Sequence, residues 1–155
     1  MTGPHEVSPR GGPWLNAALL CEQVLEERDG TLSAIRIIDR LTIHSAGQNI
    51  PAEMPAQRVS QKALLVFRSG SAKGKETVEV LVEDPRGIKG PSRLQSDIFL
   101  PGEDAGANLV VDLLLEIEHE GVSWVDVSVG GRLLTRMPLR VVYSRLSVSR
   151  SGGSE

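Results

Sequence analysis

The sequence predicts an all-β domain, and three observations support that prediction. Asp29-Gly30 lies between two apolar-rich runs, and Asp-Gly in that position is a strong hairpin signal because a tight turn needs residues that tolerate positive φ. The same succession of strand-like runs and turn residues continues toward the C-terminus. No stretch has the apolar period of an amphipathic helix. We therefore expect a two-sheet antiparallel β-sandwich of about seven or eight strands, immunoglobulin-like or C2-like in type.

Eight runs are predicted to be strands, and turn chemistry separates each from the next. The breaks contain glycine, proline and aspartate, which adopt the backbone conformations that turns require. The predicted strands are residues 15–26, 31–44, 59–69, 76–84, 94–100, 108–119, 122–129 and 132–144. Residues 45–57 are expected to form a loop, with a short helix as the alternative.

The alternation of side chains indicates which face of a predicted strand is buried. Over residues 109–117 every second residue is apolar, and the positions between them include Asp112 and Glu116, as in a strand with one face toward the core. Residues 63–67 are apolar at every position. We expect this segment to be a central strand covered on both sides, the alternative being one turn of buried helix.

Length and composition indicate one globular domain of 155 residues. A flexible N-terminal arm is expected over residues 1–13, a β-sandwich domain over 14–146 and a flexible C-terminal tail over 147–155, because both ends are polar and rich in glycine, proline or serine. No segment resembles a signal peptide or a membrane span, which predicts a cytoplasmic protein with no membrane partner.

The charge and the aromatic content argue against a nucleic-acid partner. The net charge is -3 and the pI is near 5.7, whereas phosphate-backbone binders usually carry a basic excess. Aromatic residues make up only 3% of the chain, which leaves few surfaces on which bases could stack.

The register of the last predicted hairpin follows from the parity of its side chains. A two-residue Gly130-Gly131 turn would pair Val129 with Arg132 and turn arginine side chains toward the core. A three-residue connection avoids this, because it places Val127 opposite Leu133. We therefore predict the three-residue connection.

In that register one row of side chains on the solvent face forms the candidate binding surface. Trp124 lies opposite Arg136, with Arg132 and Arg140 in the same row. Tryptophan and arginine are enriched at the centres of protein interfaces, so these four residues are the candidate partner-binding residues. The alternative is a cross-strand cation–π pair on an ordinary surface.

Two carboxylates form a weaker candidate site. Asp39 lies on the apolar parity of its predicted strand, so partial burial is expected, and Glu22 reaches the same face if the first hairpin turn has two residues. Two close carboxylates could bind a cation or act as acid and base. The alternative is that Asp39 accepts backbone hydrogen bonds or pairs with Arg36 or Arg40.

No motif in the sequence indicates a catalytic residue, a cofactor or a metal. Cys21 is the only cysteine and lies in an apolar run, so a small buried hydrophobe is expected rather than a nucleophile. The three histidines lack ligand spacing. Residues 68–75 and 87–90 lack the spacing of a phosphate-binding loop.

Two segments carry a resemblance to a known family. Residues 18–24, together with a scattered set of core and turn positions, resemble the opening of a family of small bacterial proteins known only as a domain of unknown function. The scattered positions are Gly30, Ser33, Ile35, Ile37, Asp39 and Arg40. Residues 121–141 are similar to that family's last hairpin. The resemblance covers residues 15–143, implies an immunoglobulin-like or C2-like sandwich, and brings no activity and no site residues.

Three functions are compatible with these patterns. The first is a non-enzymatic module that binds another protein, or a second copy of itself, through an exposed sheet face or an edge strand. The second is a loop-based module for a small ligand or a cation. Its carboxylates would be Asp84, Asp97, Glu103 and Asp104. The third is an enzyme of hydrolase type that uses Asp39, Glu22 or Cys21; we expect the first, with no enzymatic activity.

Overall fold

The described part of the chain forms nine strands in two sheets. The structure is a computed structural model, and it describes residues 11–147, apart from the side chains of residues 91 and 92. The strands are β1 (Trp14–Glu26), β2 (Leu32–Ile38), β3 (Arg40–Gly47), β4 (Gln57–Arg68), β5 (Gly74–Glu83), β6 (Lys89–Leu100), β7 (Gly106–Ile117), β8 (Gly121–Val129) and β9 (Arg132–Ser147). Sheet A has the order β2-β1-β4-β7, and sheet B has the order β3-β9-β8-β5-β6. The all-β prediction is confirmed. Residues 1–10 of the predicted arm and 148–155 of the predicted tail lie outside the described residues.

One hydrophobic core lies between the two sheets. Sheet A contributes Leu65 and Phe67 from β4, and sheet B contributes Val125 and Val127 from β8, all four with no exposed surface. Every second side chain of the central strands points into this core, as the strand geometry requires. The period-two pattern of the sequence therefore identified the buried faces correctly.

The predicted strand over residues 31–44 is in fact two strands that belong to different sheets. β2 pairs with β1 in sheet A, the chain crosses to sheet B at the exposed residue Asp39, and β3 then pairs with β9. The Asp39 carbonyl accepts a hydrogen bond of 3.0 Å from the Arg140 N–H at the crossing. β3 and β9 run parallel, so the expectation of purely antiparallel sheets is wrong for this pair. The apolar period continues through the crossing, which explains why the sequence does not reveal it.

β4 occupies the central position predicted for residues 63–67. It lies between β1 and β7 in sheet A, and Ala63, Leu64, Leu65 and Phe67 are all buried. The core side of β4 is covered by sheet B. On the opposite side, no other element among residues 11–147 covers the strand, and Leu64 is buried only because side chains of the adjacent strands surround it.

The segment that enters β1 is held against a neighbouring turn. The Gly11 N–H donates to Ser71 Oγ (3.1 Å), and the Ser71 N–H donates to the Gly11 carbonyl (3.0 Å). Pro13 is buried. The start of the described chain, at Gly11, is therefore held against the turn at Ser71 by two hydrogen bonds. Within the described chain, no helix is long and apolar enough to cross a membrane.

Candidate interaction surfaces

The last hairpin has a different register from the predicted one. Val129 pairs with Arg132 across a two-residue glycine turn, so the predicted three-residue connection is wrong. The extra residue lies in the strand instead: Val127 pairs with Thr135, and a β-bulge at Leu134 shifts the register. A bulge reverses the parity of the residues that follow it, and this returns the apolar side chains of β9 to the core.

The new register separates Trp124 from its predicted partner along the strand. Trp124 lies opposite Pro138, and Arg136 lies opposite Asp126. Arg136 still contacts the indole diagonally, with its guanidinium carbon 5.1 Å from the ring centroid. The same guanidinium donates to Asp126 (2.7 Å) and to Glu83 (3.1 Å). The hydrogen bond to Asp126 is the main reason that the pKa of Arg136 is raised, and these two carboxylates neutralise its charge within the protein.

The other two arginines of the predicted row are placed apart from this contact. Arg132 donates to the Pro13 carbonyl (3.0 Å) at the turn. Arg140 is exposed and lies beside Arg40 of β3, and neither forms a salt bridge with a residue in the described ranges. The structure thus brings together Trp124 and Arg136 only. The role of the four residues in binding stays a prediction.

The two predicted carboxylates do not share a buried site. Glu22 forms a salt bridge of 2.8 Å with Arg36, and both side chains are largely exposed. Asp39 is exposed at the crossing between the sheets, so its expected partial burial is wrong. The turn of the first hairpin also differs from the two-residue form, because the Glu27 N–H donates to the Thr31 carbonyl around a three-residue loop.

Cys21 is fully buried, as predicted, but it lies outside the main core. Its neighbour Leu20 faces the core, so Cys21 points to the opposite side of sheet A, between Ile37 of β2 and Lys62 of β4. Desolvation raises the pKa of the Cys21 thiol, and a backbone hydrogen bond at Gln23 and the charge of Lys62 only partly oppose this effect. The thiol is therefore protected from solvent and protonated at neutral pH.

The four loop carboxylates proposed for a cation do not converge. Asp84 precedes β6, Asp97 lies within it, and Glu103 and Asp104 follow it, and a strand of that length spans about 36 Å. Asp97 is paired with Lys75 (2.9 Å). Within the part of the chain that the structure describes, no three His, Cys, Asp or Glu side chains are placed to hold a metal. The described residues therefore give no support to the alternative of a loop-based cation site.

Asp84 instead organises the turn between β5 and β6. Its carboxylate accepts hydrogen bonds from the N–H groups of Arg86 (2.9 Å) and Ile88 (3.0 Å) and from the Arg86 guanidinium (2.7 Å). Desolvation is the largest single effect and raises the pKa of Asp84, but these hydrogen bonds together outweigh it and lower the pKa below its ordinary value of 3.8. The role of Asp84 is structural.

The side of sheet A that faces away from the core is an apolar surface that we call the sheet A outer face. All four strands contribute to it. Its apolar members are Leu19, Cys21, Leu25, Ile35, Ile37, Leu64, Val66, Val110 and Leu114. Ile37 and Leu114 are the most exposed, at 63% and 62%. The apolar run 63–67 was the sequence signal for this surface, since it required cover on both sides of one strand.

Two ion pairs lie on the sheet A outer face. Lys62 pairs with Asp112, and Arg58 pairs with Glu116 at 3.3 Å. Each pair joins β4 to β7 across the sheet. The face also carries polar side chains such as Gln23 and Ser60, and the exposed Arg68 at the end of β4 donates to the Asp104 carbonyl.

One family model and several solved structures match this chain. The model of a family of unknown function, DUF6941, matches residues 16–142. Solved structures that match include a β-glucosidase from Listeria innocua in complex with glucose (TM-score 0.46, 12% identity) and in complex with isofagomine (TM-score 0.45, 11% identity). Each match covers 84% of this chain and 16% of that chain, so this chain spans about one sixth of the length of those proteins. No curated protein matches.

Proposed function

This chain belongs to DUF6941, a family of unknown function, and we propose that it is a non-enzymatic interaction module that associates with a second copy of itself through the sheet A outer face. The proposal includes an immunoglobulin-like or C2-like sandwich architecture and the cytoplasmic, bacterial setting expected from the sequence. The observation that carries it is the apolar character of both sides of β4, of which only one is covered by sheet B.

The exposure of the face supports a docking role. Ile37 lies on the edge strand β2 and Leu114 on the opposite edge strand β7, and more than three fifths of each residue is accessible. Between these two residues, the central strands add Leu19 and Val66, which are only partly buried. Soluble monomers rarely expose contiguous apolar patches of more than a few hundred Å². Covering this face therefore removes apolar surface from water along the full width of the sheet.

The dimensions of the face match those of a stable dimer interface. Four strands about 4.8 Å apart, over about eight residues at 3.3 Å each, span roughly 500 Å² in projection. The accessible area is larger than the projection because side chains stand out from the sheet. The projection alone is more than half of the value of about 800 Å² per partner found in standard stable interfaces.

The balance of charge favours a second copy as the partner. Lys62 and Arg58 are matched by Asp112 and Glu116 within each copy, so two such faces meet without repulsion. The outer face of sheet B differs, because Arg140 lies there beside Arg40. Two copies of that surface would bring unmatched arginines together, which is unfavourable.

Sedimentation velocity over a range of concentrations tests the proposal. We expect wild type to sediment as a dimer, at twice the chain mass of 16.7 kDa, and Leu114→Glu to sediment as a monomer that keeps the circular-dichroism spectrum of a folded β domain. The control is Phe99→Glu, which charges an even more exposed apolar residue (71%) on sheet B and should remain dimeric. A wild-type protein that is monomeric at about 100 µM would exclude the proposal, because association weaker than that is worth less than roughly 5.5 kcal/mol.

A further inference from the structure

A cleft separates the free edges of the two sheets. It has a volume of about 400 Å³ and lies between β6, which ends sheet B, and β7, which ends sheet A. A smaller cavity of about 180 Å³ adjoins it, since Val80, Leu94 and Asp112 line both. Together they form a continuous opening along one side of the molecule.

The cleft follows the backbone edge of β7. Consecutive residues from Asp112 to Glu116 border it. Successive side chains of a strand point to opposite faces, so an opening bordered by all of them runs along the edge of the strand. Among the described strands, β7 has a sheet neighbour only on its β4 side. Backbone N–H and C=O groups on the cleft side are therefore available to pair with another strand.

The inner wall of the cleft is apolar, whereas Asp84, Arg86 and Lys89 line its end near the β5–β6 turn. Val80, Leu113 and Leu115 form its buried wall, and Leu94 adds a half-buried side chain from β6. Ile88 lies at the mouth and is 53% exposed. Apolar side chains that enter this space would be removed from water on several sides.

We propose that this cleft binds an extended segment of another protein, which adds to sheet A as a strand beside β7 and places every second side chain, an apolar one, into the cleft. Strand addition of this kind takes its affinity from main-chain hydrogen bonds and its specificity from pockets for alternate side chains. The cleft shares its β7 rim, with Leu114, with the sheet A outer face, but its inner wall of Val80, Leu113 and Leu115 lies on the core side of the sheet.

The acidic side chains of β7 determine which residues are favoured at the outward positions of the bound segment. The outward positions of an added strand lie beside Asp112 and Glu116, and Glu118 continues this acidic row along the cleft. Lys62 and Arg58 balance only the first two of these acids. Lysine or arginine at the outward positions of the segment is therefore favoured, because cross-strand pairs of opposite charge are stabilising.

The same charges disfavour pairing of β7 with β7 of a second copy. Such pairing brings two acidic rows side by side, and like charges across strands are destabilising. The free edge of β2 is a poorer site for strand addition, because Arg36 has a φ of 55°, which departs from the extended backbone that a strand partner requires. The partner is thus a different chain with alternating apolar and basic residues.

A labelled nonapeptide tests the site directly on the full-length protein. The probe alternates valine with polar residues and carries lysine at two polar positions, and the matched probe carries glutamate there instead. In fluorescence anisotropy we expect the lysine peptide to bind wild type. The glutamate peptide should bind wild type at least about tenfold more weakly, and the lysine peptide should bind Leu94→Trp more weakly by the same factor. Ile88→Lys, at an exposed position, serves as the second variant and should also weaken the lysine peptide. Phe99→Ala changes β6 outside the cleft and should bind as wild type does.

Amide chemical shifts locate the bound peptide. The largest shifts are expected over residues 112–116, in wild type and in Ile37→Glu, which disrupts the outer face on β2 at the edge of sheet A opposite to β7 and does not alter the cleft. Equal binding of the lysine peptide to wild type, Leu94→Trp and Ile88→Lys would overturn the inference. The inference would also be overturned if the largest chemical-shift changes fell on β2. It would be overturned as well if no binding were detected at about 1 mM peptide, because the binding free energy would then be smaller than roughly 4 kcal/mol. None of these results depends on the oligomeric state, so they are distinguishable from a failure of the proposed dimer.

Discussion

Replacing Ile37 by alanine gives a quantitative test of the proposed dimer. The substitution removes three carbon groups, each worth about 0.8 kcal/mol when fully buried. Since 63% of Ile37 is accessible in a single copy, docking can realise about 1.5 kcal/mol of this per copy. A two-fold dimer contains the residue twice, so the loss is about 3 kcal/mol, or about 100-fold in the dimer Kd.

The dimer Kd is measured by sedimentation equilibrium, with chemical denaturation as the check that the monomer fold is intact. Phe99→Ala is the matched control, because Phe99 is even more exposed, at 71%, but lies on the outer face of sheet B. Its Kd should equal that of wild type. The reasoning is refuted if Ile37→Ala dimerises within about threefold of wild type, or if Phe99→Ala weakens the dimer as much.

Three further predictions concern stability and reactivity. Gly70→Ala should lower the free energy of unfolding, measured by urea denaturation, by about 2 kcal/mol or more. Gly70 has a φ of +58°, and an added Cβ would overlap the Gly11 carbonyl and lie 3.1 Å from the Trp14 ring. Gly131→Ala, at φ +81° in open space, should lower it by only about 1 kcal/mol, and equal losses would contradict the steric argument. Asp84→Ala should lower the free energy of unfolding by about 1 kcal/mol near neutral pH. Because the folded-state pKa of Asp84 lies below 3.8, the stabilisation by this carboxylate is present above about pH 4 and is lost as the pH falls through the lowered pKa. A difference in stability between variant and wild type that persists at about pH 2 would disprove this linkage. Cys21 should react with Ellman's reagent only at the rate of unfolding, since it has no exposed surface and desolvation raises its pKa, and a rapid native-state reaction would show that the outer face opens.

The sequence predicted the secondary structure well because strands and turns are encoded locally. Asp29-Gly30 and the period-two pattern of β7 each act over a few residues, and both gave correct elements. The bulge at Leu134 was missed for a related reason. Leu133 and Leu134 are both apolar, so the pattern fits either parity, and the position of one extra residue is decided by packing against the opposite strand.

The interaction surfaces depend on topology, which local patterns do not encode. The apolar run 63–67 predicted a central strand covered on both sides; β4 is central in sheet A, but within the described residues another element covers only its core side. It could not show that Ile37 and Leu114 join the same surface, because that requires the strand order β2-β1-β4-β7. The cleft was also hidden, since it exists only where the last strands of two different sheets lie side by side.

The parallel pairing of β3 with β9 has a consequence for how this protein is made. Arg40 is aligned with Arg140, so the contact joins segments separated by most of the sequence. Such contacts form slowly because a long loop must close first. During synthesis the β1–β2 hairpin can form early from local contacts, but β3 has no partner until β9 has also left the ribosome. A nascent chain arrested before β9 would therefore expose β3 to misassembly.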